Sequence, residues 1–129
     1  MKTAILSVDD DKLVLNSLRI QLSRHFQNKY HTEFAQDAIE AFEVIEELTK
    51  IGVETVLVIS DWIMPGMNGD EFLTKINAEY PAMRTMMLTG QISGEQSESF
   101  LKSGVTSVII DKPWTETELI KAIQKLISE

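Results

Sequence analysis

Short apolar runs and helical spacings alternate along the whole chain. Ala4-Ile5-Leu6-Ser7-Val8 is a brief apolar segment cut off by acids, as a buried strand would be. Val14, Leu18, Leu22 and Phe26 then follow at steps of four, with Leu15 beside them, and predict one face of a helix. A second strand is expected over roughly residues 29–34. After it, Ala38, Ala41, Phe42, Ile45 and Leu48 recur at helical spacing, with Glu40, Glu43, Glu46 and Glu47 on the other side and Gly52 as the stop. Residues 53–60 carry the β-branched run Val56, Val58 and Ile59 expected of a central strand buried on both faces.

Pro65-Gly66 and Asn68-Gly69 make residues 61–68 a loop, which leads into a helix buried through Phe72, Leu73 and Ile76. Residues 84–88 predict a fourth strand and 105–110 a fifth. Between them, 93–103 offers only Phe100 and Leu101 as strong apolar anchors, so a helix there should be weakly held and mobile. Thr115-x-x-Glu118 is a capping box ahead of Leu119, Ile123, Leu126 and Ile127. Five strands alternating with five helices predict an α/β domain with a parallel sheet covered on both faces. Alternation does not fix strand order; the flavodoxin-like order 2-1-3-4-5 is taken by analogy with open sheets of this kind.

With 129 residues the chain fits a single domain over 1–129, with no room for a second core. Twelve Lys and Arg against twenty Asp and Glu give a net charge of −8, which disfavours direct binding to a nucleic-acid backbone. The chain has no cysteine, which excludes disulfides, thiolate metal sites and a Cys nucleophile. No segment reads as a membrane span or signal peptide, so a cytoplasmic location is expected.

Ligands of open α/β sheets bind beyond the carboxyl ends of the strands. Strand one ends in Asp9-Asp10-Asp11, strand three in Asp61, strand four in Thr89 and strand five in Lys112. With strands ~4.8 Å apart, Asp10 and Asp61 meet across neighbours, and Lys112 must reach about 10 Å to join them. Clustered carboxylates repel one another without a cation, and hard oxygen ligands suit Mg²⁺. A metal, a hydroxyl and an ammonium around one aspartate make a cradle for phosphoryl transfer, with Asp61 as the nucleophile that becomes an acyl phosphate. Each residue also has an ordinary reading. Asp11 suits a helix N-cap, Asp61 a turn before Pro-Gly, Thr89-Gly90 a loop start and Lys112 a solvated surface position. Four such residues at four strand ends exceed what capping and turns need.

In these segments the chain resembles the response-regulator receiver domain of two-component signalling. The segments are residues 5–11, the stretch Ile59-Ser60-Asp61 through Asn68-Gly69, Leu88-Thr89-Gly90 and Asp111-Lys112-Pro113-Trp114. The resemblance implies a phosphorylation-dependent switch in which Asp61 takes a phosphoryl group from a histidine kinase or phosphotransfer protein and signals to a downstream output domain or partner protein. It implies that Asp10, Asp61 and the backbone carbonyl of Ile63 bind Mg²⁺, that Asp9 assists through water, and that Thr89 and Lys112 contact phosphoryl oxygens. It also implies a cis peptide at Lys112-Pro113. The chain would be no enzyme beyond its own phosphotransfer and slow self-dephosphorylation. Two positions depart from the family pattern. Ile109 stands where an aromatic residue usually reports the switch. Ile63 stands where a polar side chain often assists hydrolysis, with Gln91 in the related place after Thr89.

Other readings compete with this one. In a haloacid-dehalogenase-like phosphatase Asp9 would be the nucleophile, but Lys12-Leu13 replaces the usual Gly-Thr and Asp61 has no role. A flavin-binding module would set three carboxylates against a cofactor phosphate. An interaction module without phosphorylation would leave the retained site chemistry without a purpose.

Overall fold

Four of the five helices start where a short polar side chain satisfies a first-turn amide. Asp11 accepts from the Leu13 N–H, Asp37 from Glu40, Ser93 from Gln96 and Thr115 from Glu118. Both halves of a capping box are made by Ser93 and Gln96. The computed structural model describes residues 2–90 and 93–128. Its elements are β1 (Thr3–Val8), α1 (Lys12–Phe26), β2 (His31–Ala35), α2 (Ala38–Lys50), β3 (Glu54–Ser60), α3 (Gly69–Glu79), β4 (Arg84–Thr89), α4 (Gly94–Lys102), β5 (Ile109–Asp111) and α5 (Glu116–Ile127). Among the described residues no helix is long and apolar enough to cross a membrane.

The strands form one parallel sheet in the order β2-β1-β3-β4-β5, the flavodoxin-like arrangement. Alternation along the strands divides the core in two. Leu6, Val8, Val58 and Met87 pack with Ala41, Ile45, Phe72 and Ile76 of α2 and α3. Ile5, Leu57, Ile59 and Leu88 pack on the opposite face with Leu18, Leu22, Leu119 and Ile123 of α1 and α5. Each buried Leu, Ile, Val, Phe or Met among them contributes roughly 1.5–3 kcal/mol. By that measure the helices differ: α1 and α2 each bury four residues, whereas α4 buries only Phe100.

Three expectations need adjustment. β2 starts at His31 rather than Lys29, because the Lys29 and Tyr30 amides both donate to the Phe26 carbonyl and prolong the end of α1. β5 starts at Ile109, not Val105. Upstream of it, Thr85 Oγ1 donates to the Val105 carbonyl at 2.8 Å and Thr106 Oγ1 to the Thr85 carbonyl at 3.0 Å, so side-chain bonds stand in for the ladder. Leu101 is 39% exposed and does not anchor α4.

Candidate functional site

The ladder sets two carboxylates side by side. The Asp61 N–H donates to the Val8 carbonyl at 3.0 Å, and the Asp9 N–H to the Ala35 carbonyl at 3.1 Å, each one step beyond its strand. Asp9 is buried, and its Oδ1 accepts the Asp11 N–H at 2.8 Å. Asp11 turns its own carboxylate to cap α1, accepting the Leu13 N–H at 2.9 Å. Asp10 is exposed, and one oxygen from each of Asp9, Asp10 and Asp61 lies within 4.8 Å of the others.

Lys112 reaches this cluster from the far edge. Its Nζ lies 2.8 Å from Asp9 Oδ2 and 3.4 Å from Asp61 Oδ2, while its N–H donates to the Thr89 carbonyl at 3.0 Å. The Lys112–Pro113 peptide is cis, as expected. Gly90 leaves room for the lysine, since a Cβ there would meet its Cβ and carbonyl oxygen at 3.4 Å. Thr89 is buried at the end of β4, and among the described residues its Oγ1 has no hydrogen-bond partner. A buried hydroxyl without a partner is costly unless it serves a ligand. Ile63 is 45% exposed and lines, with Asp9, Asp10, Asp61, Gly90 and Lys112, a cleft of about 440 Å³. Gln91, the other position singled out near Thr89, lies outside the described residues.

The charges do not balance. Burial, and then the charge of Asp9, push the Asp61 carboxyl above its ordinary 3.8, against the pull of Lys112 and the Trp62 N–H. Burial works to lower Lys112, but the hydrogen bond and charge of Asp9, followed by Asp61, outweigh it and raise the ammonium above 10.5. Three carboxylates around one ammonium suit a hard divalent cation, and the spacing of their oxygens fits one.

Sequence reasoning missed what fixes the floor of the site. Read as half of a turn dipeptide, Gly69 is in fact the first residue of α3, pressed against the backbone of the loop. A Cβ there would lie 1.9 Å from the Asp61 carbonyl oxygen, and its N–H donates to the Trp62 carbonyl at 2.6 Å. Only the absent side chain allows this approach. Ser60 Oγ donates to the same Asp61 carbonyl at 2.8 Å. Trp62 turns away from the cleft and is buried, its ring T-shaped against Phe100 at 5.3 Å between centroids.

The family model for the response regulator receiver domain matches residues 5–124. The chain is 30% identical over 127 residues to the response regulator MprA of Mycobacterium sp. (strain KMS), covering 98% of this chain and 51% of that protein. It is 28% identical over 125 residues to the chemotaxis protein CheY homolog of Campylobacter jejuni, covering 95% and 91%. The CheY-like receiver domain structure from Methanospirillum hungatei JF-1 superposes with a TM-score of 0.80 at 31% identity, covering 97% of this chain and 92% of that one. The chain spans about half the length of the MprA relative.

Proposed function

The chain belongs to the response regulator receiver domain family of two-component systems, and from that membership we propose that it is a signalling switch thrown by phosphorylation of Asp61. The observation that carries the assignment is the ammonium of Lys112 within 3.4 Å of Asp61 Oδ2, in a pocket whose other acids suit a metal. The donor is a phosphohistidine on a histidine kinase or phosphotransfer protein. Asp61 attacks its phosphorus through the carboxylate oxygen facing Lys112. A new O–P bond forms as the P–N bond breaks, and the departing imidazole nitrogen keeps the electron pair and takes up a proton. Lys112 and the hydroxyl of Thr89, which has no partner among the described residues, donate to the phosphoryl oxygens.

Asp10, Asp61 and the carbonyl of Ile63 would hold Mg²⁺, with Asp9 assisting through water, and the charge neutralisation supplied there would ease the approach of the phosphoryl group to the carboxylates. With the apolar Ile63 at the mouth of the cleft, no side chain at that position orients water, and self-dephosphorylation is slow. The domain spans 1–129 as one unit in the cytoplasm, and its output goes to a further domain or a partner protein. Its charge of −8 favours a protein partner over direct contact with nucleic acid.

The phosphatase reading fits poorly, because its nucleophile would be Asp9, whose carboxylate is buried and already bound by Lys112 and the Asp11 amide. Acetyl phosphate with Mg²⁺, followed by intact mass, tests the proposal. One phosphoryl group adds to the wild type and none to Asp61→Asn, and equal labelling of both overturns it. Turnover of p-nitrophenyl phosphate would restore the phosphatase.

A further inference from the structure

The chain lacks the aromatic switch residue, since Ile109 has no ring and no polar side-chain atom. It nevertheless has a ring on the residue whose backbone N–H bonds the Asp61 carboxylate. The Trp62 N–H donates to Asp61 Oδ1 at 2.7 Å, and the Trp62 carbonyl accepts the Gly69 N–H at 2.6 Å. The peptide of Trp62 is thus held on one side by the carboxylate itself and on the other by α3. Its indole is buried and meets Phe100 edge to face, at 5.3 Å and 69°. Phe100 is, among the described residues, the one buried side chain of α4.

We propose that Trp62 couples Asp61 to α4, passing the state of the carboxylate through its N–H to the indole and from the indole to Phe100. This inference rests on Asp61 being the phosphoacceptor. A carboxylate is a charged acceptor, and bonds to it are roughly twice as strong as neutral ones. Once one oxygen is esterified, or engaged by beryllofluoride, the other loses most of that charge. The Trp62 N–H then keeps only a weaker, neutral bond on the Asp61 side, and the indole presses less firmly on Phe100. A helix with several buried residues would absorb the change. α4 has no second buried anchor, so the loss falls on the whole element. Ile109 is half-buried and packs against the apolar cluster that contains Trp62 and Phe100.

The test is amide hydrogen exchange over residues 94–102, with and without Mg²⁺ and beryllofluoride, alongside intact-mass labelling by acetyl phosphate. In the wild type, loading should speed α4 exchange by about threefold or more. Phe100→Leu keeps an apolar anchor without a ring. It should still be labelled at Asp61 while its α4 response to loading is lost. Phe100→Tyr keeps the ring and should retain the response. If Phe100→Leu already exchanges at its limit, Trp62 emission in Trp114→Phe decides the matter: the indole precedes Phe100 in the route, so loading must change it, and an unchanged emission in a labelled protein overturns the coupling.

Unchanged or slower α4 exchange in a labelled wild type overturns the coupling and leaves the phosphoacceptor assignment standing. A full response in Phe100→Leu also overturns it. A wild type that takes no label removes both, and the mass measurement tells the cases apart.

Discussion

Lys112→Met removes an ammonium and keeps a chain of similar length, so it isolates the charge. Asp9 is 2% exposed, and with Lys112 gone it retains one described bond, from the Asp11 amide, with two other carboxylates within 4.8 Å. Breaking a buried ion pair from one side costs about 3–5 kcal/mol. Lys112 keeps 21% of its side chain exposed and is itself relieved of desolvation when replaced, which puts the net cost at roughly 2–3 kcal/mol. For a chain of this size that lowers Tm by about 10 °C. The assay is thermal melting at pH 7 in EDTA and again in Mg²⁺. A divalent cation takes over the neutralisation, so saturation at a hundredfold Kd restores about 2.7 kcal/mol. The pH dependence has a definite sign. Because the Lys112 pKa is raised on folding, its contribution is complete below 10.5 and fades as pH climbs through the raised value, and the variant lacks this alkaline limb. The Asp61 pKa is raised too, so its contribution is present below 3.8 and is lost as pH rises through the folded value. That loss deepens in the variant, where the pull of the Lys112 ammonium on Asp61 is gone. A variant melting within about 2 °C of the wild type in EDTA would refute the claim that Lys112 holds the acids together.

Asp10→Asn should gain at most about 1 kcal/mol in EDTA, since Asp10 is exposed, and should lose its stabilisation by Mg²⁺; a melting curve that keeps the wild-type response to the ion contradicts the metal assignment. Gly69→Ala must move either α3 or the Asp61 carbonyl, costing roughly 1–3 kcal/mol, and its phosphorylation rate should fall further than that destabilisation explains. Labelling at the wild-type rate with unchanged Tm would show that the contact at Gly69 is relieved without disturbing Asp61.

What could be read from the sequence follows from where the information lies. β1 and β3 were legible because Ile5-Leu6 and Val56 through Ile59 are apolar without interruption, as a strand buried on both faces requires. The late start of β5 was not, because Thr85 and Thr106 exchange hydroxyl bonds with each other's part of the chain and the pattern of apolar residues carries no trace of that. Asp9, Asp10, Asp61, Thr89 and Lys112 could be located because strand ends locate them. That the Lys112 ammonium sits closer to Asp9 than to Asp61 could not be, since it depends on side-chain reach across the sheet. Gly69 escaped notice because what it avoids is a backbone oxygen, which every residue has. The burial of Trp62 against Phe100 could not be read either, since it depends on a helix thirty-odd residues away in sequence.

The surroundings of Asp61 differ in stiffness, and the difference comes from how the core is divided. On one side stand β1 and β3, buried along nearly their whole length, and the start of α3 wedged against the Asp61 carbonyl with no side chain between. Nothing there can shift without breaking ladder bonds or burying a clash, and a carboxylate aimed from such a base keeps its direction. On the other side stands α4, held by Phe100 alone among its described residues. Truncating one buried Phe costs about 3–5 kcal/mol, which is close to the whole packing contribution that fixes α4, whereas the same loss in α1 or α2 would leave three anchors in place. A change of one charge-assisted bond is small beside the stability of the domain, but it is a sizeable fraction of what holds this single helix. The sheet can therefore keep the acids in register while a perturbation at Asp61 is expressed in α4, and the chain needs no aromatic residue at Ile109 for that to happen.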